Sequence, residues 1–350
     1  MKKIAIFQKD LSIGGIQRSL LNMLTNMDLS CYEVDLFLFA EPEICSINEL
    51  KNVNVHILRP LFYLNRLIKF DILRKMFIYD LPDKEYDLAI DFNSYSNECA
   101  LCTLAVNAKK RIMWIHNDVE IEHKNSGKYR ILWSMFKNKF RYYDEFVAVS
   151  KGIVDPFREM TDLHDTKITV IPNTINTHQL ILKSRETVDF KVEPDITNFI
   201  FVGRFTHQKG IDILLDYFAR AVEKRHDIHL YLLGSGPEGL KIAQQIENQN
   251  LNDYVTVIDA VENPYPYMAQ MDALILTSRH EGQGMVLWEA KALGLDLIFE
   301  KHLEKYNEDL EGSVDIESAI INQKKHIKQL DSLDYYNLKI KHSLYELFDH

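Results

Sequence analysis

Apolar and polar positions alternate along this chain in a recurring order, with a short apolar run, then a polar turn, then a longer segment that is apolar on one side only. The runs at 4–7, 111–115, 145–149, 168–171, 198–202 and 273–277 read as buried strands. Between them lie helical periods. Ile16, Leu20, Leu24 and Met27 share one face, residues 211–224 form a second helix, and Val286, Ala290 and Leu293 recur at i, i+4 and i+7. This alternation predicts an α/β chain with parallel sheets wound on both faces. The pattern stops across 173–195, a polar stretch with few apolar runs, and then restarts. A hinge is expected there, between Rossmann-like domains at 1–180 and 195–330. Residues 331–350 end in an amphipathic helix at 335–348.

The most informative turn is Ser278 to Ala290. Two glutamates, Glu281 and Glu289, bracket a glycine-rich helix start carrying Gly282, Gly284, Met285 and Val286. Free amides at a helix start and the helix dipole suit an anion such as a diphosphate, with Glu281 beside it on the loop. Glu289 falls on the apolar stripe, where a carboxylate needs donors. Ribose hydroxyls and a structural network of lysine or backbone groups both satisfy that need. Upstream, the strand at 198–202 delivers Gly203, Arg204, Lys209 and Gly210. A planar guanidinium and a mobile ammonium thus flank one turn, which suits two phosphates. A solvated loop is the alternative.

Near the start of the chain, the strand at 4–7 runs into Gly14 and Gly15 ahead of a helix, a context for close approach to a ligand. The spacing is not Gly-x-Gly-x-x-Gly, and no Gly-x4-Gly-Lys-Ser/Thr occurs, which disfavours a nicotinamide dehydrogenase and a P-loop phosphotransferase. His116, Asn117 and Asp118 follow the strand at 111–115 at its carboxyl end, which faces the ligand crevice in open α/β sheets. Ser150 and Asn173 follow two further strands, where either side chain can cap a turn.

With these elements in place, the sequence resembles the retaining glycosyltransferases of family 4, which have the GT-B fold of two Rossmann-like domains facing each other across a cleft. The resemblance rests on Glu281-x7-Glu289, on Gly203-Arg204-x4-Lys209-Gly210, on Ile115-His116-Asn117-Asp118, and on the Val-Ser and Ile-Pro-Asn landmarks ending at Ser150 and Asn173. It implies that Glu281 and His116 contact a donor sugar, that Glu289 contacts the nucleotide ribose, and that Arg204 and Lys209 stabilise a leaving diphosphate. The first domain would bind the acceptor, the second the nucleotide sugar, and the terminal helix would cross back to the first domain. Two departures stand out: Gly284 and Asp296 occupy positions where many members have proline. Gly284 is expected to loosen the loop. A silent transferase-like subunit that binds glycan or a partner protein, and a sugar-nucleotide epimerase, are the alternatives. Retention of Arg204, Lys209, Glu281 and Glu289 favours an active enzyme. The implied setting is bacterial surface-polysaccharide synthesis, with a glycan or lipid-linked acceptor and UDP-sugars as the leading donors.

Composition adds limits. The chain has 350 residues, 46% hydrophobic and 26% charged, enough for two cores. A net charge of −10 argues against generic nucleic-acid binding. No cofactor or metal is expected, since no Asp-x-Asp appears. Cys99 and Cys102 form one Cys-x-x-Cys without a second pair, so with Cys31 and Cys45 they read as structural thiols. No run spans a bilayer and no signal peptide is evident, which predicts a cytoplasmic protein. Two basic, aromatic stretches, 59–75 and 124–143, suit the anionic inner face of a membrane, and equally a solvated helix face whose aromatics pack inward.

Overall fold

The computed structural model describes residues 1–12, 14–41, 50–59, 68–76, 79–119, 121 and 127–350, the side chains of 128 and 129 excepted. The chain forms two compact units, 1–175 with 335–350, and 176–334. Each is built on its own parallel sheet.

The first unit contains β1 (Lys2–Phe7), β2 (Tyr32–Leu38), β3 (Val53–Ile57), β4 (Tyr86–Asp91), β5 (Ala108–Ile115), β6 (Glu145–Ala148) and β7 (Ile168–Val170) in the order β3-β2-β1-β4-β5-β6-β7. Every pairing is parallel. The middle strands are apolar on both faces because helices cover both, and Ile4, Ala5, Ile6 and Phe7 are fully buried. Connecting helices include α1 (Gly15–Asn26), α2 (Phe70–Met76), α3 (Asn97–Ala105), α4 (Gly127–Phe136) and α5 (Val154–Thr161). Ser96 caps α3, its Oγ accepting from the Cys99 N–H at 3.1 Å. Cys99 and Cys102 lie in the core with Phe7, Phe37 and Tyr86, and burial pushes both thiols up. Cys31 is exposed, and Cys45 lies outside the described residues.

The second unit holds β8 (Thr197–Val202), β9 (Ile228–Leu233), β10 (Val255–Ile258), β11 (Ala273–Leu276) and β12 (Asp296–Phe299) in the order β10-β9-β8-β11-β12. Its helices are α6 (Thr177–Ser184), α7 (Ile211–Val222), α8 (Gly239–Asn248), α9 (Tyr265–Met268), α10 (Met285–Ala292) and α11 (Ile316–Asn322). The first unit ends at Ile175 rather than 180, and 176–194 belong to the second. The cause is α6, which Asn176 caps through the Gln179 N–H at 3.1 Å and which packs on α9 and α10.

The last helix, α12 (Asp334–Asp349), packs within the first unit from Tyr335 onward. The Asn337 amide bonds both backbone groups of Ile175, at 3.0 and 2.9 Å, and Tyr336 Oη donates to the Asn173 carbonyl at 2.8 Å. Asn173 Oδ1 accepts from Ser19 Oγ, so this residue ties α1 and α12 together rather than merely capping a turn. Strand order reverses direction once in each sheet, between β1 and β4 and between β8 and β11. Ligands of doubly wound sheets bind at such switch points, outside the carboxyl ends of the strands.

Several aromatics of the basic stretches pack inward. Trp133, Phe136, Phe140 and Tyr143 are buried and pack on one another and on Phe146 and Phe157. Lys139 is fully buried. Desolvation brings its ammonium down to about 8 and raises the neighbouring Asp91 carboxyl to about 7, with Tyr143 Oη donating to Asp91 at 2.8 Å. Phe70 is buried too. Much of the first stretch, 60–67, lies outside the described residues, as do Lys124 and the Lys128 side chain. The two stretches nevertheless meet: Asp71 on α2 accepts from Asn138, Arg141 and Tyr142, each at 2.9 Å.

Candidate active site

At the switch point of the second sheet, the loops leaving β8 and β11 are fastened to each other. Gly210 has φ +63°, and a Cβ there would sit 2.1 Å from the Thr277 carbonyl oxygen, so only glycine fits. Thr277 Oγ1 donates to the Gly210 carbonyl at 2.8 Å, and the Arg279 N–H to the Gln208 carbonyl at 2.8 Å. Arg279 also grips Asp212 through both guanidinium nitrogens, at 2.8 and 2.6 Å, which holds the Asp212 carboxyl below its usual range.

This fastening brings Lys209 and Glu281 together. Lys209 Nζ lies 2.6 Å from Glu281 Oε1, with side chains 19% and 7% exposed. Sequence alone suggested a mobile ammonium; in the fold it is half of a largely buried ion pair. Arg204 on the same loop is exposed, and its guanidinium has no hydrogen bond or ion pair among the described residues. The loop therefore presents one unpaired guanidinium beside one neutralised pair. Gly203 has the Phe201 ring 3.3 Å from where its Cβ would stand.

Two glycines that the sequence reading did not single out complete the wall. Gly234 and Gly236 follow β9 with φ +153° and +156°, and a Cβ on them would lie 1.9 Å from Gly203 O and 2.5 Å from Phe205 O. The Phe205 N–H donates to the Ser235 carbonyl at 2.8 Å. Their signal was the run Gly234-Ser235-Gly236-Pro237 at a strand-to-helix turn, the same context that marked the other loops.

The start of α10 differs from expectation in two respects. Gly284 does not loosen the loop: its Cβ position lies 3.2 Å from Leu287, 3.3 Å from Asn307 and 3.5 Å from Leu276, so the turn is packed. The buried face also runs wider than the Val286, Ala290 and Leu293 stripe. Leu287, Trp288, Glu289 and Ala290 are buried, and Val286 is half-buried. Gly282 is buried in the bend, and Met285 is half-buried with its N–H donating to the Gln283 carbonyl at 2.9 Å. Glu289 accepts from Tyr265 Oη at 2.9 Å.

In the first unit, His116 lies buried just past β5, with the Phe92 ring 4.7 Å away. Desolvation pulls its pKa down to about 3, against a weaker opposing hydrogen bond to the Phe92 backbone. The ring is neutral at pH 7. With its other nitrogen on the Phe92 carbonyl, Nε2 is an acceptor, and it has no hydrogen-bond partner among the described residues. Gly14 caps α1 in an extended conformation, and at Gly15 nothing lies within 4 Å of a Cβ position. Backbone strain requires neither glycine, and Gly15 leaves the helix start uncovered. Asp118 Oδ1 accepts from the Ile121 N–H at 3.2 Å, and Ser150 makes no side-chain cap bond.

Comparison with known proteins identifies the family. A family model described as Glycosyltransferase Family 4 matches residues 13–179, and one described as Glycosyl transferases group 1 matches residues 196–309. The chain belongs to the group 1, family 4 glycosyltransferases. Among curated members, an uncharacterized glycosyltransferase of Methanocaldococcus jannaschii is 28% identical over 200 residues, covering 55% of this chain and 48% of its own. The O-antigen biosynthesis glycosyltransferase WclY of Escherichia coli is 24% identical over 204 residues, 57% of this chain and 56% of its own. The chain thus spans about half the length of the curated relatives it matches. HepE of Anabaena, solved in complex with UDP and glucose, superposes with a TM-score of 0.70 over 100% of both chains at 16% identity. That likeness is one of fold, and it gives the two sheets their family architecture, GT-B.

Proposed function

We propose that this chain is a retaining glycosyltransferase that moves a sugar from a nucleotide-diphosphate donor to a glycan or lipid-linked acceptor in bacterial surface-polysaccharide synthesis. The observation that carries the reading is the pairing of Lys209 with Glu281 beside the unpaired Arg204, at the switch point of the second sheet. UDP-sugars are the first donors to test, because the similar HepE structure holds UDP and glucose and uridine is the commonest base in such donors.

In this reading, Arg204 and Lys209 face the two phosphates. Charge builds on the diphosphate as the bond from the sugar's anomeric carbon to the phosphate oxygen breaks. Preorganised cations and the amides around Gly284 and Val286 stabilise that charge without reorganising. The acceptor oxygen bonds to the anomeric carbon from the face the diphosphate leaves, and its proton passes to a donor phosphate oxygen. Glu281 holds Lys209 in register and meets the donor sugar. Glu289 meets the ribose. His116, a neutral acceptor, takes a hydrogen bond from a sugar hydroxyl. Arg204 and the ammonium of the Lys209–Glu281 pair stand in for the divalent ion of other transferases, so transfer is expected without metal.

Membrane docking is proposed in narrowed form. Arg74, Lys75, Arg130, Lys137 and Arg141 are exposed around Ile72, Met76 and Ile131, which are 51, 62 and 67% exposed. Basic residues around isolated apolar ones fit the anionic inner leaflet. No helix among the described residues is long and apolar enough to cross a membrane.

The test is thermal melting with UDP, GDP, ADP, CDP and their common sugar conjugates, with and without EDTA, followed by product analysis for the anomeric configuration. A saturating ligand at about 100 times its Kd stabilises by roughly 2.7 kcal/mol. Lys209→Ala or Glu281→Ala should then cut transfer about 10²-fold or more, as loss of one charge-stabilising group does. Transfer unchanged in both variants, or a product of inverted configuration, rejects the mechanism.

A further inference from the structure

We propose that Tyr265 is a positioning residue that aims the Glu289 carboxylate at the donor's ribose hydroxyls. The proposal rests on the reading of Glu289 given above and adds how the chain holds that group. Tyr265 and Glu289 are 8% and 5% exposed and joined by the 2.9 Å hydrogen bond from the phenol to Oε1. A carboxylate at that depth needs donors, and its direction is set by them. A phenol holds one oxygen without cancelling the charge, in contrast to Lys209 on Glu281.

The tyrosine is itself fixed at both ends. Its N–H donates to Asn263 Oδ1 at 3.2 Å. The Asn263 amide donates in turn to the Lys183 carbonyl at 2.9 Å and to Glu186 Oε2 at 2.8 Å, at the end of α6. Pro266 sits in the first turn of α9 and presets its backbone. A continuous set of bonds thus runs from α6 through Asn263 and Tyr265 to Glu289. The set ends on Glu289, the residue read as meeting the ribose, and so bears on the ribose end of the donor.

The test uses the full chain, calorimetric titration with UDP, GDP, ADP and CDP, and the same diphosphates with 2′-deoxyribose. Tyr265→Phe keeps the buried ring and removes only the hydroxyl. For the diphosphate that binds, Kd should rise about tenfold, the scale of one hydrogen bond to a charged group. Kd for its 2′-deoxy counterpart should change less than about twofold, because the interaction being lost there is already weakened. In transfer assays KM for the donor should rise while kcat stays nearly constant. Equal weakening of both nucleotides means that Tyr265 serves only packing, and overturns the proposal. So does an unchanged ribonucleotide Kd when Glu289→Ala abolishes the preference for ribose. If Glu289→Ala leaves that preference intact, the ribose reading of Glu289 itself falls and takes the proposal with it, while the phosphate end, tested through Lys209 and Glu281, stands apart.

Discussion

Both sheets are parallel, both reverse direction once, and both carry polar residues past the carboxyl ends of strands at or next to the reversal, yet they equip those ends differently. The second unit presents charge: Arg204 exposed, Lys209 paired to Glu281, Arg279 paired to Asp212, all on loops that glycine contacts lock together. The first unit holds a neutral His116, its pKa pulled down to about 3 and its Nε2 without a hydrogen-bond partner among the described residues, and the helix start at Gly15. One scaffold thus carries charged loops in one unit and a neutral histidine in the other. The loop chemistry alone separates them.

The sharpest way to break this contrast is through the glycines. Gly210→Ala meets both a left-handed backbone and a carbonyl 2.1 Å from its Cβ. It should cost about 3 kcal/mol or more in urea unfolding. Gly15→Ala, with open space around it, should stay within about 0.5 kcal/mol. Similar losses in both variants would show that the second unit's loops are no more tightly locked than the first's.

A smaller effect is expected at Arg204. Because no group among the described residues competes for its guanidinium, Arg204→Gln should weaken nucleoside diphosphate binding about 10- to 100-fold, the worth of hydrogen bonds between charged groups. The uncharged nucleoside should bind as before. Equal losses for both ligands would place Arg204 outside the phosphate contacts.

The smallest effect concerns the neutral end. With His116 folded near 3 and an ordinary histidine near 6.5, the unfolded chain takes up a proton that the folded chain refuses between those values. Stability from this residue is therefore present above about pH 6.5 and declines as pH falls toward 3. The ring's proton resonances should not titrate between pH 8 and 5, and His116→Gln should flatten the acid limb of the stability curve. A midpoint near 6.5 for His116 would erase the distinction between the two ends.

How much of this was legible beforehand depended on the kind of signal. Strands such as 4–7 and 273–277 are buried on both faces, so they appear as continuous apolar runs. Both glutamates and the two cations stood out because glycine loops at strand-to-helix turns are rare enough to notice. The basic stretch at 124–143 left two readings open, because interleaved aromatics look the same in sequence whether they face lipid or pack inward around a buried lysine. Tyr265 gave no signal, since its meaning lies in a residue 24 positions away.

The sequence by itself determined the alternation of strands and helices, the loops that carry charge, and the side chains available for chemistry. Those depend on local periodicity and on residue type, which the chain states directly. The tertiary structure decided which charges cancel, which glycines are irreplaceable, and which histidine nitrogen has no hydrogen-bond partner among the described residues. Those are properties of pairs of residues, such as Lys209 with Glu281 at 72 positions' separation, and folding alone brings such pairs within reach.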